Sequence, residues 1–200
     1  MSKVAAIILA AGRSSRFVGG NKLLAKIDGV TLVRRAALEV AASPVDDIIL
    51  VTGVDCGTVA NAAGAGRWRN IINQTPELGL SSSLKAGLAA LDTDPSGALV
   101  VLADMPAVSA VLIAKLCAAF DAHGTGMIIY PQNSAGQQGN PVLWPRVLFA
   151  ELLQLEGDSG GKKLLTQYAH LCHPLDVSGD DAFIDIDTRA DLARITRRAD

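Results

Sequence analysis

Apolar residues recur along this chain in two alternating rhythms. Short, nearly unbroken apolar runs at Val4–Ala11, Asp47–Thr52 and Gly97–Ala103 read as strands, the first apolar on both faces and so central. Between them the period lengthens to that of a helix. Over Thr31–Ala42, residues Leu32, Val33, Ala36, Ala37 and Val40 fall on one side and Arg34, Arg35 and Glu39 on the other, and Pro44 closes the segment. Asp55–Gly64 reads as an alanine-rich helix, Asn70–Asn73 as a short strand, and Ser81–Leu91 as a helix capped by serine. Ser109–His123 carries a stripe of Val111, Leu112, Leu116, Ala119 and Phe120. Met127–Tyr130 and Asn140–Trp144 are predicted strands, and Pro145–Leu155 a helix with proline in its first turn. Lys162–Ala169 reads as a short helix, Cys172–Val177 and Phe183–Ile186 as strands, and Thr188–Arg198 as a last helix capped by Thr188 or Asp187.

Strand and helix alternate throughout, which predicts an α/β fold: a doubly wound, mostly parallel sheet with helices on both faces, in a single domain over 1–200. Half of the 200 residues are hydrophobic, which excludes disorder, and with only 4% aromatics the core must be aliphatic. The net charge of −2 and the absence of basic runs exclude a nucleic acid polymer as partner. Cys56, Cys117 and Cys172 lie far apart in no metal-ligand spacing, so reduced thiols are expected, with Cys117 on a buried helix face. No signal-peptide pattern and no run of membrane-spanning length is present, so a cytoplasmic protein with no membrane partner is expected. Gln132–Gly139 is the least regular stretch and a candidate mobile loop.

In such sheets ligands sit at the carboxyl ends of strands. The first strand empties into Gly12, Arg13, Ser14, Ser15 and Arg16, with Gly19, Gly20 and Lys22 following. Small residues let main-chain N–H groups face an anion, and the cations offset its charge. A plain turn that needs glycine for positive φ, with solvated cations, would look the same. Asp104 closes the Gly97–Ala103 run just before Met105 and Pro106, where a carboxylate suits Mg²⁺ better than a helix cap. Asp187 reads equally as a second metal ligand or as the cap of the last helix, and Asp185 as facing the same pocket or solvent. Ser81, Ser82 and Ser83, with Lys85 one turn on, offer a helix N-terminus to an anion or a base edge. The three histidines show no ligand spacing, and no nucleophile elbow is present, which disfavours a covalent hydrolase.

Together these residues resemble the MobA-like nucleotidyltransferases. Leu9-Ala-Ala-Gly-Arg-Ser-Ser-Arg-Phe17 with Lys22 is similar to that family's L-A-A-G-x-x-x-R-(M/F)…K signature. Gly79-Leu-Ser-Ser-Ser-Leu84, Ala103-Asp-Met-Pro106, Gly139-Asn-Pro-Val-Leu143, Gly157-Asp-Ser-Gly-Gly161 and Asp185-Ile-Asp-Thr188 follow in the family's order. Ala10-Ala11-Gly12 resembles the molybdenum cofactor cytidylyltransferase branch; the guanylyltransferase branch has Ala-Gly-Gly. Val18 stands where a glycine is expected, Lys22 falls one residue late, and Asn140 replaces a histidine of some cytidylyltransferases.

The resemblance implies a Rossmann-like nucleotidyltransferase fold and transfer of CMP from CTP to the terminal phosphate of molybdopterin or molybdenum cofactor, with release of pyrophosphate. Arg16, Lys22 and Asp104 would be catalytic, with Mg²⁺, or Mn²⁺ in its place, on Asp104 and Asp187. Leu9, Ala10, Ala11, Gly12, Arg13, Ser14, Ser15, Gly79, Ser81, Ser82 and Ser83 would bind the nucleotide. Gly139, Asn140, Pro141, Asp158, Ser159 and Gly160 would line the acceptor side. A molybdoenzyme or its maturation chaperone would take the product. Competing readings are guanylyl transfer, a sugar phosphate or methylerythritol phosphate acceptor, or a non-catalytic cofactor-binding chaperone. A Rossmann dehydrogenase is disfavoured because the loop lacks G-x-G-x-x-G.

Overall fold

The two rhythms are realised in a computed structural model that describes residues 2–12, 14, 16–54, 56–92, 94–158, 161–179 and 181–196. In chain order the elements are β1 (Val4–Ala10), β2 (Lys26–Ile27), β3 (Val30–Thr31), α1 (Leu32–Ala41), β4 (Asp47–Thr52), α2 (Cys56–Ala63), β5 (Arg69–Ile72) and α3 (Leu80–Ala89). There follow β6 (Gly97–Leu102), α4 (Ala110–His123), β7 (Ile128–Gln132), β8 (Val142–Pro145), α5 (Phe149–Leu152), α6 (Lys162–Gln167), β9 (Cys172–Asp176) and α7 (Arg189–Thr196). Short 3₁₀ turns connect several of them.

Seven strands form one sheet in the order β5-β4-β1-β6-β8-β7-β9, and β2 and β3 make a separate small hairpin. β5, β4, β1 and β6 run parallel; β8 alone is antiparallel to both its neighbours, and β7 pairs parallel with β9. β1 is buried at all seven positions because the sheet is covered on both sides. Its Val4, Ala6, Ile8 and Ala10 enter one core, while Ile7 and Leu9 enter the other. Gly87 lets α3 lie close on β1, since a Cβ there would overlap the Ile7 side chain.

From β1 the chain builds outward to β4 and β5, then crosses to β6 on the other side. The crevice at this reversal, above the carboxyl ends of β1 and β6, is where α/β sheets take ligands. Leu9 pairs with Leu102, so the segments after both strands start side by side.

The C-terminal half departs from expectation. The Asn140–Trp144 strand forms as β8 but reversed. The Pro145–Leu155 helix is broken: Pro145 ends β8, a 3₁₀ turn covers Arg146–Leu148, and α5 has four residues. Phe183–Ile186 is no strand; Asp181–Phe183 is a 3₁₀ turn, and the Ile186 amide donates to the Asp104 carbonyl at 3.0 Å instead of joining a ladder. The place beside β7 is already filled by β9. On α4 the buried stripe is Ile113, Leu116, Cys117 and Phe120, and Val111 is 66% exposed. Burial pushes the free Cys117 thiol up to about 11, with smaller contributions from Asp121 and Asp46. The stretch 132–139 folds back on itself, with Asn133 Oδ1 accepting from the amides of Ala135 and Gln137. Among the described residues no helix is long and apolar enough to cross a membrane.

Candidate active site

A cleft of about 490 Å³ opens at the switch point, lined among others by Leu9, Ala11, Gly12, Ser14, Arg16, Lys22, Asp104 and Asp187. Gly12 does not have positive φ, and a Cβ on it would meet nothing within 4 Å. The backbone therefore does not demand glycine there, which removes the plain-turn explanation at this position. Positive φ falls instead at Ser14, at 52, and further on at Gly19 and Gly20. The Ser14 carbonyl accepts from the Phe17 amide, and its hydroxyl accepts from the Lys22 amide at 3.1 Å. Asn21 Oδ1 accepts from the Leu23 amide, capping the 3₁₀ turn Lys22–Leu24. These bonds fix where the Lys22 side chain starts.

Lys22 then reaches between two carboxylates. Its Nζ lies 2.6 Å from Asp104 Oδ2 and 3.0 Å from Asp187 Oδ1, with the side chain only 13% exposed. Arg16 approaches the other Asp187 oxygen at 2.8 Å. Burial alone would lower the Lys22 pKa, but Asp104 and then Asp187 more than offset it and hold the ammonium above its ordinary value.

A small apolar cluster away from the main cores assembles this centre. Phe17 from the loop, Ile27 from β2, Leu32 from α1 and Ile186 pack together, flanked by Leu192 and Ile195 of α7. Phe17 and Ile186 carry Arg16 and Asp187 as their chain neighbours. α7 braces the segment after Phe17: Arg189 Nε donates to the Val18 carbonyl at 2.7 Å, and its guanidinium lies 5.8 Å from the Phe17 ring centre. Asp187 does not cap α7. Thr188 does, in a reciprocal box with Asp191 whose carboxylate is pulled down to about 2, chiefly by the Thr188 hydroxyl and then by Arg194.

The opposite wall is the start of α3. Its N-cap is Gly79, at φ 88, with no capping side chain of its own. The caps come from far along the chain: Leu80 N–H donates to Asp158 Oδ1, 78 residues on, at 3.0 Å, and Ser81 N–H to the Gly157 carbonyl at 3.1 Å. The approach is tight, since a Cβ on Gly79 would lie 2.6 Å from Asp158 Oδ1. Buried Asn73 donates to the hydroxyls of Ser82 and Ser83, and the Ser82 hydroxyl donates to the Gly79 carbonyl.

A second cavity of about 470 Å³ adjoins the first and shares Leu9, Leu80, Leu102 and Asp158 with it. Its floor is apolar, with Leu84, Val100, Val142 and Trp144; Asn140, Lys162 and Asp185 bring its polar groups.

The model of the MobA-like NTP transferase domain family matches residues 6–171. The chain belongs to that family. It is 27% identical over 203 residues to the molybdenum cofactor guanylyltransferase of Burkholderia vietnamiensis, covering 98% of this chain and 96% of that one. It is 30% identical over 138 residues to the bifunctional protein GlmU of Sinorhizobium fredii, covering 67% of this chain and 30% of that one. The chain thus spans under a third of the length of this relative. Rv0371c of Mycobacterium tuberculosis superposes with a TM-score of 0.85 at 26% identity, covering 98% of both chains. The same protein in complex with manganese gives 0.83 at 24% identity, covering 98% of this chain and 99% of that one. The Rossmann-like nucleotidyltransferase fold is thereby established for this MobA-like chain.

Of the family signature, the cleft brings together Leu9, Ala11, Gly12, Ser14, Arg16, Lys22, Gly79, Ser83, Asp104 and Asp187. Ala10 stays in the core, Ser81 lines the second cavity, and Ser82 is absent from the described lining of both. Arg13, Ser15, Ser159 and Gly160 lie outside the described residues. Asn140 lines the second cavity and Asp158 both. Gly139 and cis-Pro141 flank Asn140, whose amide donates to the Ala182 carbonyl. Asp185 lines the second cavity and Asp187 the first, and both also line a further cavity against α7. Sequence reasoning missed Asn21, Asn73 and Glu77. Asn21 is an ordinary loop asparagine in the sequence, Asn73 ends the predicted strand Asn70–Asn73, and Glu77 lies on a 3₁₀ turn with no pattern to mark it.

Proposed function

We propose that this MobA-like protein is a nucleotidyltransferase that joins CMP from CTP to the terminal phosphate of molybdopterin or its molybdenum-loaded form, releasing pyrophosphate. The observation that carries the reading is the meeting of Lys22 with Asp104 and Asp187 beside the Gly12 loop, in a cleft that adjoins a second cavity. Two cations, Arg16 and Lys22, and four carboxylates are among the described lining residues of the first cleft. That balance suits a triphosphate only when it arrives with a divalent cation. The Asp104 and Asp187 oxygens face one common point, and hard oxygen donors fit Mg²⁺ or Mn²⁺. Ions of this kind are usually held by one or two carboxylates, with substrate phosphates and water completing the coordination. Such an ion neutralises charge on the phosphates when bound.

The chain's own residues would do the rest. Main-chain amides of the Gly12 loop, with Arg16 and Lys22, bind the triphosphate and orient it for in-line displacement. An acceptor phosphate oxygen forms the new bond to the α-phosphorus while the bond to the bridging oxygen of the β-phosphate breaks. Pyrophosphate takes that electron pair, and Lys22 and Arg16 hold the growing charge. The acceptor phosphate is already an anion, so no general base is required. The apolar floor of the second cavity supports the body of the acceptor, and Asn140 and Asp158 orient its polar edge.

Guanylyl transfer is the second reading, favoured by the Burkholderia relative. Ala11 at the cleft wall favours CTP. Pyrophosphate release from CTP, GTP, ATP and UTP with purified molybdopterin tests both. Preference for CTP supports the first, preference for GTP the second, and no release with any nucleotide contradicts both. Asp104→Asn is expected to lower turnover by about 10²-fold or more.

A further inference from the structure

Resting on the divalent-ion reading above, we propose that Lys22 is a resident cation that keeps a divalent ion out of the Asp104–Asp187 pair until a triphosphate draws its ammonium away. Three of the four oxygens of the two carboxylates are already engaged. Lys22 Nζ takes Asp104 Oδ2 and Asp187 Oδ1, and Arg16 takes Asp187 Oδ2. An ion bridging the carboxylates would need the space that Nζ fills, because metal–oxygen bonds of about 2 Å leave no room for an ammonium 2.6 Å from one of those oxygens. The four side chains sum to zero formal charge, so the closed pair offers a dication little local attraction.

The geometry gives Lys22 a way out but not a free one. The amide of Lys22 is fixed by Ser14 and its 3₁₀ turn by Asn21, so its stem stays rooted beside the Gly12 loop while the ammonium can swing. Gly12 and Ser14, which line the same cleft, mark where phosphates would sit. A triphosphate there offers the ammonium new anionic partners and opens the carboxylates to the metal in one event. Metal and nucleotide then bind as a unit, and the empty protein does not fill with metal alone.

The test is Mn²⁺ binding to the nucleotide-free protein, read by the loss of the free-ion electron paramagnetic resonance signal. Lys22→Met is expected to bind Mn²⁺ roughly tenfold or more tightly than wild type. Lys22→Gln, which keeps a polar tip at the carboxylates, is expected to move in the same direction and serves if the methionine variant does not fold. Adding Asp104→Asn to either variant is expected to return binding to the weak wild-type level. Equal or weaker Mn²⁺ binding by the folded Lys22 variants would overturn the proposal. Because no nucleotide or acceptor is present, the result is independent of which base or acceptor the enzyme uses. A protein that bound Mn²⁺ as expected but released no pyrophosphate would contradict the proposed reaction and leave this gate standing.

Discussion

Asp158 caps a helix to which it is connected only through space: its Oδ1 accepts the Leu80 amide of α3 at 3.0 Å. The bond lies on the boundary between the two cavities, both of which Asp158 lines. Asp158→Ala removes the acceptor and is expected to cost about 1 kcal/mol in urea denaturation. Asp158→Asn keeps an acceptor oxygen and should lose less. Equal losses in the two variants would show that the bond does not cap α3 in solution.

Gly12 and Gly87 are expected to respond in opposite ways to the same substitution. Gly12→Ala meets open space at ordinary φ, so stability should stay within about 0.5 kcal/mol while nucleotide affinity falls. Gly87→Ala drives a methyl group into Ile7 and should cost about 1–3 kcal/mol. Thermal denaturation reads the first quantity, and equilibrium dialysis with CTP and GTP reads the second.

Arg189 holds the loop after Phe17 from outside the site. Arg189→Ala gives up the bond to the Val18 carbonyl and the contact with Phe17, at a cost of about 1 kcal/mol. The KM for nucleotide is expected to rise more than kcat falls, and trypsin should cut faster after Arg16. Unchanged KM and unchanged proteolysis would mean that the loop is held without Arg189.

The Lys22 centre should make itself felt at high pH. Its ammonium is held above the ordinary value of 10.5, because Asp104 and Asp187 outweigh burial. A group raised in the folded state stabilises fully below its unfolded value and loses that contribution as pH climbs through the folded one. Denaturation midpoints followed upward from about pH 9 should therefore fall more steeply for wild type than for Lys22→Met.

The parallel half of the sheet was readable in the sequence because β1, β4 and β6 are apolar without a break and the helices between them keep period 3.6. Asp104 and Lys22 stood out for the same reason: each follows a strong strand or a glycine-rich turn. The last third resisted. β8 is a short apolar strand whose direction no local pattern encodes, and the segment Phe183–Ile186 looks like a strand yet has no ladder to join.

The cluster that assembles the centre was equally hidden. Phe17, Ile27, Leu32 and Ile186 are single residues from four segments, so no periodicity links them. The capping of α3 was hidden by distance: the serines looked like its caps, but Asp158 and Gly157 fill that role, and Asn73 occupies the hydroxyls of Ser82 and Ser83. Asp187 was left open between cap and ligand. The Thr188–Asp191 box takes the capping task, and Asp187 is free to meet Lys22 and Arg16.

The one reversed strand has a consequence for how this architecture diversifies. Because β8 runs against β6, the residues that precede it, not those that follow it, arrive at the ligand-binding rim, and Asn140 does so through the stretch 133–140. The Gly12 loop of the first cleft comes from a separate stretch of chain near the N-terminus. Insertions or exchanges before β8 can therefore reshape the wall that Gln138 and Asn140 give the second cavity without altering the Gly12 loop of the first.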